Sequence, residues 1–518
     1  MRNVPSFLAA VSLVCGVAHV AGAAEPIDIG SRLELFVDDY LIDGLSGDAR
    51  LHLNKPKAKE VAIVTDKPWE GNTCAFYAIF QDGDLYRMYY RASNHDVLNR
   101  KATHPEFTCY AESKDGIHWT KPELGLFEFQ GSKQNSIVWD GVGTHAFVPF
   151  KDANPDCPPE AKYKALGVTF PPLSPPDKHG LYAFQSPDGI HWTLMSKVPV
   201  KGAFDSQNLA FWDPTLGAYR AYWRIFTEGV TNADNWQPGG YRAIRTAVSK
   251  DFVEWGDSVD LTYVDSPNEH LYTNAIQPYE RAPHILLGFP TRLLKTNQVE
   301  PTFMTSRDGR TFHRWDEALI PVTAPEDRDG NRSNYMTWGL VRLPHSDREY
   351  SVYATEAYFA GPDSRVRRFT YRVDGFVSVR ASAQGGHLVS KPLVFSGRKL
   401  VVNFATSGQG RLAVELQDAE GKPIPGFTLA DCPPLWGDEI EKTVAWKGGA
   451  DLGPLAGRPV RLRLDLKDAD VFSFRFGEAP GGKGLGAPGA TEAGSLMEGS
   501  QSSVVPKRVV FWGARGKV

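Results

Sequence analysis

Cysteine, methionine and long apolar runs are all scarce in this chain. Five cysteines and six methionines stand among 518 residues. No C-x-x-C and no H-E-x-x-H occurs, so a zinc centre lacks its ligand spacing. A G-x-x-x-x-G-K-[ST] phosphate loop is also missing. No lysine- or arginine-rich stretch stands out, and the formal net charge is -4. Nucleic acid and anionic membrane are therefore poorly matched partners. Past the N-terminus no segment approaches the about 20 consecutive apolar residues of a membrane-spanning helix. Segments with a sustained 3.6-residue apolar period are hard to find, which argues against a helical fold.

The N-terminus is the exception to this polarity. Arg2 precedes an apolar run from Phe7 to Ala18, and the small residues Ala21-Gly22-Ala23 follow. This reads as a signal peptide over residues 1–23, with a secreted or periplasmic mature protein. Cys15 falls inside that segment. Cys74, Cys109, Cys157 and Cys432 remain, and four cysteines allow three pairings, none of which the sequence singles out. The remaining chain is too long for one ordinary core and suggests two domains.

Aromatic residues are plentiful at 12%, with 13 tryptophans. Short alternating runs such as Leu85-Tyr86-Arg87-Met88-Tyr89-Tyr90-Arg91 are split by Asp-Gly turns. That pattern belongs to antiparallel sheet. Four segments repeat: Ser113-Lys114-Asp115-Gly116-Ile117-His118-Trp119, Ser186-Pro187-Asp188-Gly189-Ile190-His191-Trp192, Ser249-Lys250-Asp251-Phe252-Val253-Glu254-Trp255, and Ser306-Arg307-Asp308-Gly309 running on to Trp315. Their tryptophans lie 73, 63 and 60 residues apart. A hairpin explains one copy. Four copies at this spacing predict blades of four strands each.

A fifth unit lacks the tryptophan turn and runs through Tyr350-Ser351-Val352-Tyr353-Ala354-Thr355 and Arg367-Arg368-Phe369-Thr370-Tyr371-Arg372, with the early strand Leu33–Val37 placed to close the ring against it. The expected fold is all-β: a five-bladed β-propeller over 32–374 followed by a small β-sandwich over 375–477. Six blades is the competing count. A Gly/Ala/Ser-rich tail over 478–518 is expected to be disordered.

This architecture resembles the clan of glycoside hydrolases that contains the invertase/fructanase and arabinanase/xylosidase families. The resemblance runs from about Arg32 to Phe476, although the invertase-type motifs W-M-N-D-P-N, R-D-P and E-C are absent. The segments Leu35-Phe36-Val37-Asp38-Asp39-Tyr40-Leu41-Ile42 and Tyr371-Arg372-Val373-Asp374-Gly375-Phe376-Val377-Ser378 are similar to a group of exported, glycosidase-like proteins common in planctomycetes. Sialidases are the second comparison among enzymes. Their Asp-boxes read S-x-D-x-G-x-x-W, with one more residue between Asp and Gly than this chain has.

Glycoside hydrolysis generally needs two carboxyl groups flanking the scissile bond. The resemblance places them where the innermost strand of each blade begins. Asp115, Asp188, Asp251 and Asp308 repeat too regularly for that task and are assigned to turns. The inner-strand acids are Glu70, Asp205 and Glu269, two of which are expected to form the acid and base pair. Arg91, Arg224 and Arg292 form a second-strand series, with Glu356 in the comparable place of the fifth unit; they are candidates to hold a carboxylate ionised or to bind an acidic sugar. His145, Asn208, Tyr272 and Tyr335 complete the substrate-binding candidates. No metal or cofactor is expected, and a cavity calcium or sodium has no residue pattern behind it.

The expected function is an exported glycoside hydrolase acting on a poly- or oligosaccharide. The alternatives are a non-catalytic carbohydrate-binding propeller, a cell-envelope interaction scaffold and a sialidase-like enzyme. An oligomeric state is not legible.

Overall fold

The computed structural model describes residues 25–169, 178–231, 235–324 and 334–478. The expected signal peptide and nearly all of the expected disordered tail lie outside the described residues. Within them the chain is β-structure, with no α-helix and no helix long and apolar enough to cross a membrane. Cys74, Cys109, Cys157 and Cys432 are free thiols.

Five sheets follow one another along the chain. The first holds Ala75–Asp82, Leu85–Ala92, Phe107–Ser113 and Ile137–Trp139. The second holds Val148–Lys151, Tyr163–Thr169, Gly180–Ser186 and Thr193–Lys197. Leu209–Asp213, Ala218–Thr231, Trp236–Ser249 and Val259–Asp260 make the third. The fourth joins Gln277–Tyr279, Ala282–Gly288, Phe303–Ser306 and Thr311–Trp315, with Thr262–Val264 on its edge. In the fifth, Val341–Arg342, Glu349–Glu356 and Arg365–Arg372 are completed by Lys57–Val64 from the start of the chain. That last place was expected for Leu33–Val37. Instead Glu34–Leu35 pairs with Ser473 and Phe474.

Alternation lets one strand serve two neighbours. From Leu85–Ala92, Tyr86, Met88 and Tyr90 pack in one cluster with Tyr353 and Val366 of the fifth sheet. Tyr89 points the other way, into a cluster with Phe147, Phe184 and Trp192 around the second sheet.

The repeated turns explain themselves chemically. Asp188 Oδ1 accepts the N–H groups of Ile190 and His191, both at 2.8 Å, while Ser186 Oγ accepts from Gly189 N at 2.9 Å. The same aspartate bonds recur at Asp115, Asp251 and Asp308. Burial pushes the Asp188 carboxyl up, but the His191 and backbone bonds outweigh it and hold the group at about 2. These aspartates are turn formers.

Each turn is also a socket for its neighbour. The Tyr353 hydroxyl of the fifth sheet donates to Gly116 O at 2.5 Å, Tyr89 of the first to Gly189 O at 2.9 Å, and Tyr222 of the third to Gly309 O at 2.9 Å. In the third sheet's turn Phe252 replaces glycine, takes the same left-handed φ of 68°, and packs against Phe150 of the second sheet at 5.6 Å. The fourth and fifth sheets meet at Tyr279 and Tyr350, 5.7 Å apart.

His270–Thr273, Thr291–Leu293 and Val299–Pro301 form a small three-stranded sheet, His95–Asp96 and Lys101–Ala102 a short hairpin, and a ten-stranded sheet collects the strands from Ile27–Gly30 to Arg50–Leu53 and from Val377–Ala381 to Val460–Gly477. The N-terminal strands placed in the first domain by the sequence reading therefore belong here. The segment Tyr371–Ser378 is a junction: buried Asp374 accepts from Tyr279 Oη at 2.5 Å, Ser473 Oγ at 2.6 Å and Asn403 Nδ2 at 3.1 Å. Arg307 makes a second junction with Glu34 at 2.8 Å and Asp38 at 3.0 Å.

Candidate active site

In an antiparallel meander, the start of the first strand, the end of the second and the start of the third share one edge. A cleft of about 1180 Å³ opens along such edges of several sheets. Its wall carries Arg91 from the end of Leu85–Ala92, Glu106 just before Phe107–Ser113, His145 before Val148–Lys151, and Asp205 before Leu209–Asp213.

These side chains form one alternating line of charge. Arg91 Nη1 lies 3.5 Å from Glu106, whose other oxygen is 2.9 Å from His145 Nδ1. His145 Nε2 is 3.1 Å from Asp205 Oδ1, and Asp205 Oδ2 is 3.4 Å from Arg224 Nη2. A carboxylate on each side requires both ring nitrogens to donate, which is the imidazolium form. Burial alone lowers the His145 pKa, but Glu106 and then Asp205 outweigh it and leave it above the ordinary histidine value. The carboxylates move the opposite way. Burial raises both, yet His145 and Arg91 bring Glu106 below its usual range, and His145 and Arg224 do the same for Asp205.

Asp140, on the same wall, behaves differently. Its side chain is exposed, partial desolvation nudges its carboxyl upward, and no cation is paired with it among the described residues.

The loop that presents Asp205 is rigidly braced. Asn208 donates to Phe204 O and Ser206 O, both at 2.8 Å, and accepts from Arg224 N at 3.1 Å. Gln207 donates to Tyr77 O at 2.8 Å and Ser206 to Tyr272 O at 2.5 Å. Asn208 is thus a support beneath the site and not, as expected from sequence, a group facing substrate.

Tyr272 and Tyr335 do face the cleft, with Tyr358 beside them, their rings 5.7 and 5.6 Å apart in sequence around the wall. Such ring faces suit the apolar side of a sugar. Burial and the nearby Asp205 push Tyr272 up to about 12, so its hydroxyl stays protonated and able to donate.

Three expected carboxylates are elsewhere. Glu70 is wholly buried, accepting from Tyr90 Oη at 2.5 Å and paired with Lys121 at 2.6 Å. The chain turns at Gly71, with φ of 145°, so that Thr73 reaches the cleft and Glu70 does not. Glu269 borders a separate pocket of about 340 Å³, where Arg292 at 3.1 Å and Arg314 hold it. Arg292 is further occupied by Glu300 at 2.6 Å. Glu356 is buried between Arg365 at 2.9 Å and Arg367 at 2.7 Å. Of the expected site residues, the structure brings together Asp205, Arg91, His145, Arg224, Tyr272 and Tyr335. Glu106, Asp140, Arg242 and Tyr358 were missed. Glu106 had a usable signal, a lone acid immediately before an apolar strand.

The fold and cleft define an all-β protein of sequential four-stranded sheets around a polar, tyrosine-walled cleft. No family model matches the chain, and no curated protein does. Among solved structures it is similar to a β-1,2-mannobiose phosphorylase from Listeria innocua, at 12% identity and a TM-score of 0.42, covering 62% of this chain and 97% of that one. It is similar also to a family 43 arabinoxylan arabinofuranohydrolase from Bacillus subtilis, at 13% identity and a TM-score of 0.37, covering 82% and 99%. A third is the catalytic domain of an α-L-arabinofuranosidase from Coprinopsis cinerea, at 10% identity and a TM-score of 0.39, covering 61% and 97%.

Proposed function

We propose that this chain is an exported glycoside hydrolase, built on a closed five-bladed propeller with the ten-stranded sheet folded as a buttressing sandwich. The contact of each sheet with the next, and the pairing of Lys57–Val64 with Arg365–Arg372, support the closed ring.

One observation carries the catalytic reading: the carboxyls Glu106, Asp140 and Asp205 line a single cleft walled by Tyr272, Tyr335 and Tyr358. Glycosidases need one carboxylic acid that keeps its proton and one carboxylate that does not. Asp140, the cleft carboxyl that no cation holds ionised among the described residues, is the acid that protonates the departing glycosidic oxygen. Asp205, held ionised by His145 and Arg224, is the base or nucleophile on the other side. Glu106 and Arg91 act through His145 and are positioning residues. The separation of the two carboxyls around a bound sugar sets the outcome, retention at about 5–5.5 Å and inversion at about 6.5–9.5 Å.

The test is turnover on a panel of poly- and oligosaccharides, with Asp205→Asn beside the native protein. Loss of about 10²–10⁴-fold in the variant is expected. Equal turnover in the two proteins removes Asp205 from the mechanism. A second reading, a carbohydrate-binding propeller without catalysis, is favoured by the His145 bridge, which engages both Glu106 and Asp205. It predicts binding to the panel with no reducing ends released.

A further inference from the structure

Most buried and half-buried arginines in this protein are matched by carboxylates, Arg342 and Arg463 apart. Arg220 has Asp213 at 2.9 Å, Arg87 has Asp82 at 2.8 Å, and Arg292 has both Glu269 and Glu300. Arg242 is the exception that lines the cleft. It stands between the cleft and the smaller pocket of Glu269, lining both, has no ion-pair partner among the described residues, and its buried Nε has no hydrogen-bond acceptor. Desolvating a cation without a partner is costly, so such groups are normally paired.

The surroundings sharpen the anomaly. Arg242 lies 5.1 Å from the Phe226 ring and 5.3 Å from the Tyr272 ring. Arg224 lies over the same two rings, at 5.3 and 5.1 Å. Two like charges are thus gathered on one pair of aromatic faces. The carboxylate available, Asp205, is already shared between Arg224 and His145. Arg224 Nη1 is buried without a partner as well. Burial and the neighbouring Arg224 both lower the Arg242 pKa, the expected signature of an uncompensated pair of cations. Arg100 and Lys101, on the short hairpin His95–Asp96/Lys101–Ala102, add positive charge to the cleft lining.

We propose that Arg242 and Arg224 form an oxyanion subsite beside Asp205, and that the sugar bound there carries a carboxylate or a sulfate ester. The inference rests on the reading that the cleft holds a carbohydrate, and it adds the class: uronic acid-containing or sulfated glycans in preference to neutral ones. A planar guanidinium clamps a carboxylate or sulfate through two parallel N–H bonds. The tyrosine wall takes the ring face, and the anion completes the charge that the protein leaves open.

Binding is measured by calorimetry on the full mature chain with three probes: inorganic sulfate, uronic acid-containing oligosaccharides, and neutral oligosaccharides of the same length. Sulfated oligosaccharides form a fourth arm that separates sulfate from carboxylate recognition. The expected result is binding of sulfate and of at least one anionic glycan, the latter on the order of 10- to 100-fold tighter than its neutral counterpart. Arg242→Gln, which keeps a long polar side chain against the rings, should remove that preference, and Arg242→Lys should restore part of it. Native protein that binds neutral and anionic glycans equally overturns the subsite while leaving the glycosidase reading intact. Native protein that binds sulfate in an Arg242-dependent way but no glycan at all supports the anion site and overturns the carbohydrate reading. Failure to bind any anionic probe overturns the subsite.

Discussion

His145 Nε2 lies 3.1 Å from Asp205 Oδ1, so that ring and carboxylate meet in the lining of the cleft. The contact links two loops, one entering the second sheet and one entering the third. It makes the ionisation of Asp205 depend on that of His145, and through it on Glu106. The pH dependence follows from the directions of these shifts. His145 is raised, so its stabilising contribution is complete below the ordinary histidine value of 6.5 and is lost as pH climbs through the folded value. Glu106 and Asp205 are lowered, so theirs is complete above the ordinary carboxylate range and is lost as pH falls through their folded values. The network is intact between those limits.

Glu106→Gln should therefore lower the His145 pKa toward and below its ordinary value, because burial then acts with one carboxylate fewer. NMR titration of the His145 ring in native and variant protein reads this directly. An unchanged titration would remove Glu106 from the network, and Arg91 with it. The same variant should move the alkaline edge of stability to lower pH without changing the fold.

Glu70 gives a prediction of the opposite kind. Its carboxylate and the Lys121 ammonium are 0% and 10% exposed at the side chain and lie 2.6 Å apart. Glu70→Gln leaves the buried Lys121 ammonium with only the more distant Asp66, at 3.5 Å, as counter-charge, at a cost of about 2–3 kcal/mol in unfolding free energy. Turnover per folded molecule should stay at the native level, since the side chain does not line the cleft. Denaturant unfolding beside an active-site titration separates the two effects. A large loss of turnover in fully folded protein would return Glu70 to the mechanism.

The socket turns can be tested through Gly189. Its φ is 80°, and a Cβ there would meet Tyr89 Oη at 2.7 Å. Gly217 has a φ of 55° with nothing within 4 Å of a Cβ. Gly217→Ala should cost about 1 kcal/mol, the left-handed backbone term alone. Gly189→Ala should cost about 2 kcal/mol or more, because the steric clash with Tyr89 adds to it. Equal losses in thermal unfolding would show that the Tyr89 contact relaxes at no cost.

Those turns were also the most legible part of the sequence, for a local reason. The aspartate, the serine two residues before it and the tryptophan fall within seven residues in three copies and ten in the fourth, so their spacing survives in the text. What was not legible depends on pairing. Lys57–Val64 completes the fifth sheet, but its first half is Lys-Ala-Lys-Glu, largely exposed and without apolar alternation. The apolar run Leu33–Val37 looked the better strand and was claimed by Val460–Gly477 instead. The site shows the same divide. Searching the starts of first strands finds Asp205 and His145. It misses Glu106, which precedes a third strand, because only the meander brings that edge to the same cleft. Arg242 was hidden for another reason: it lies within Trp236–Ser249, where the long hairpin with Ala218–Thr231 carries it into the cleft.

Asp140 allows the sharpest separation of acid from base. A general acid matters in proportion to the reluctance of the leaving group to depart as an anion. Asp140→Asn should thus lose about 10²–10⁴-fold on a natural glycan, whose leaving alcohol needs a proton. On an aryl glycoside with an acidic phenol as leaving group, the same variant should retain most of its activity. Asp205→Asn should lose activity on both substrates, because activation of water or direct attack is needed whatever departs. The alkaline limb of the kcat/KM profile should also flatten in Asp140→Asn, since that limb reports loss of the general acid's proton. If Asp140→Asn falls equally on both substrates, the acid lies elsewhere, and Glu106 becomes the residue to test by the same comparison.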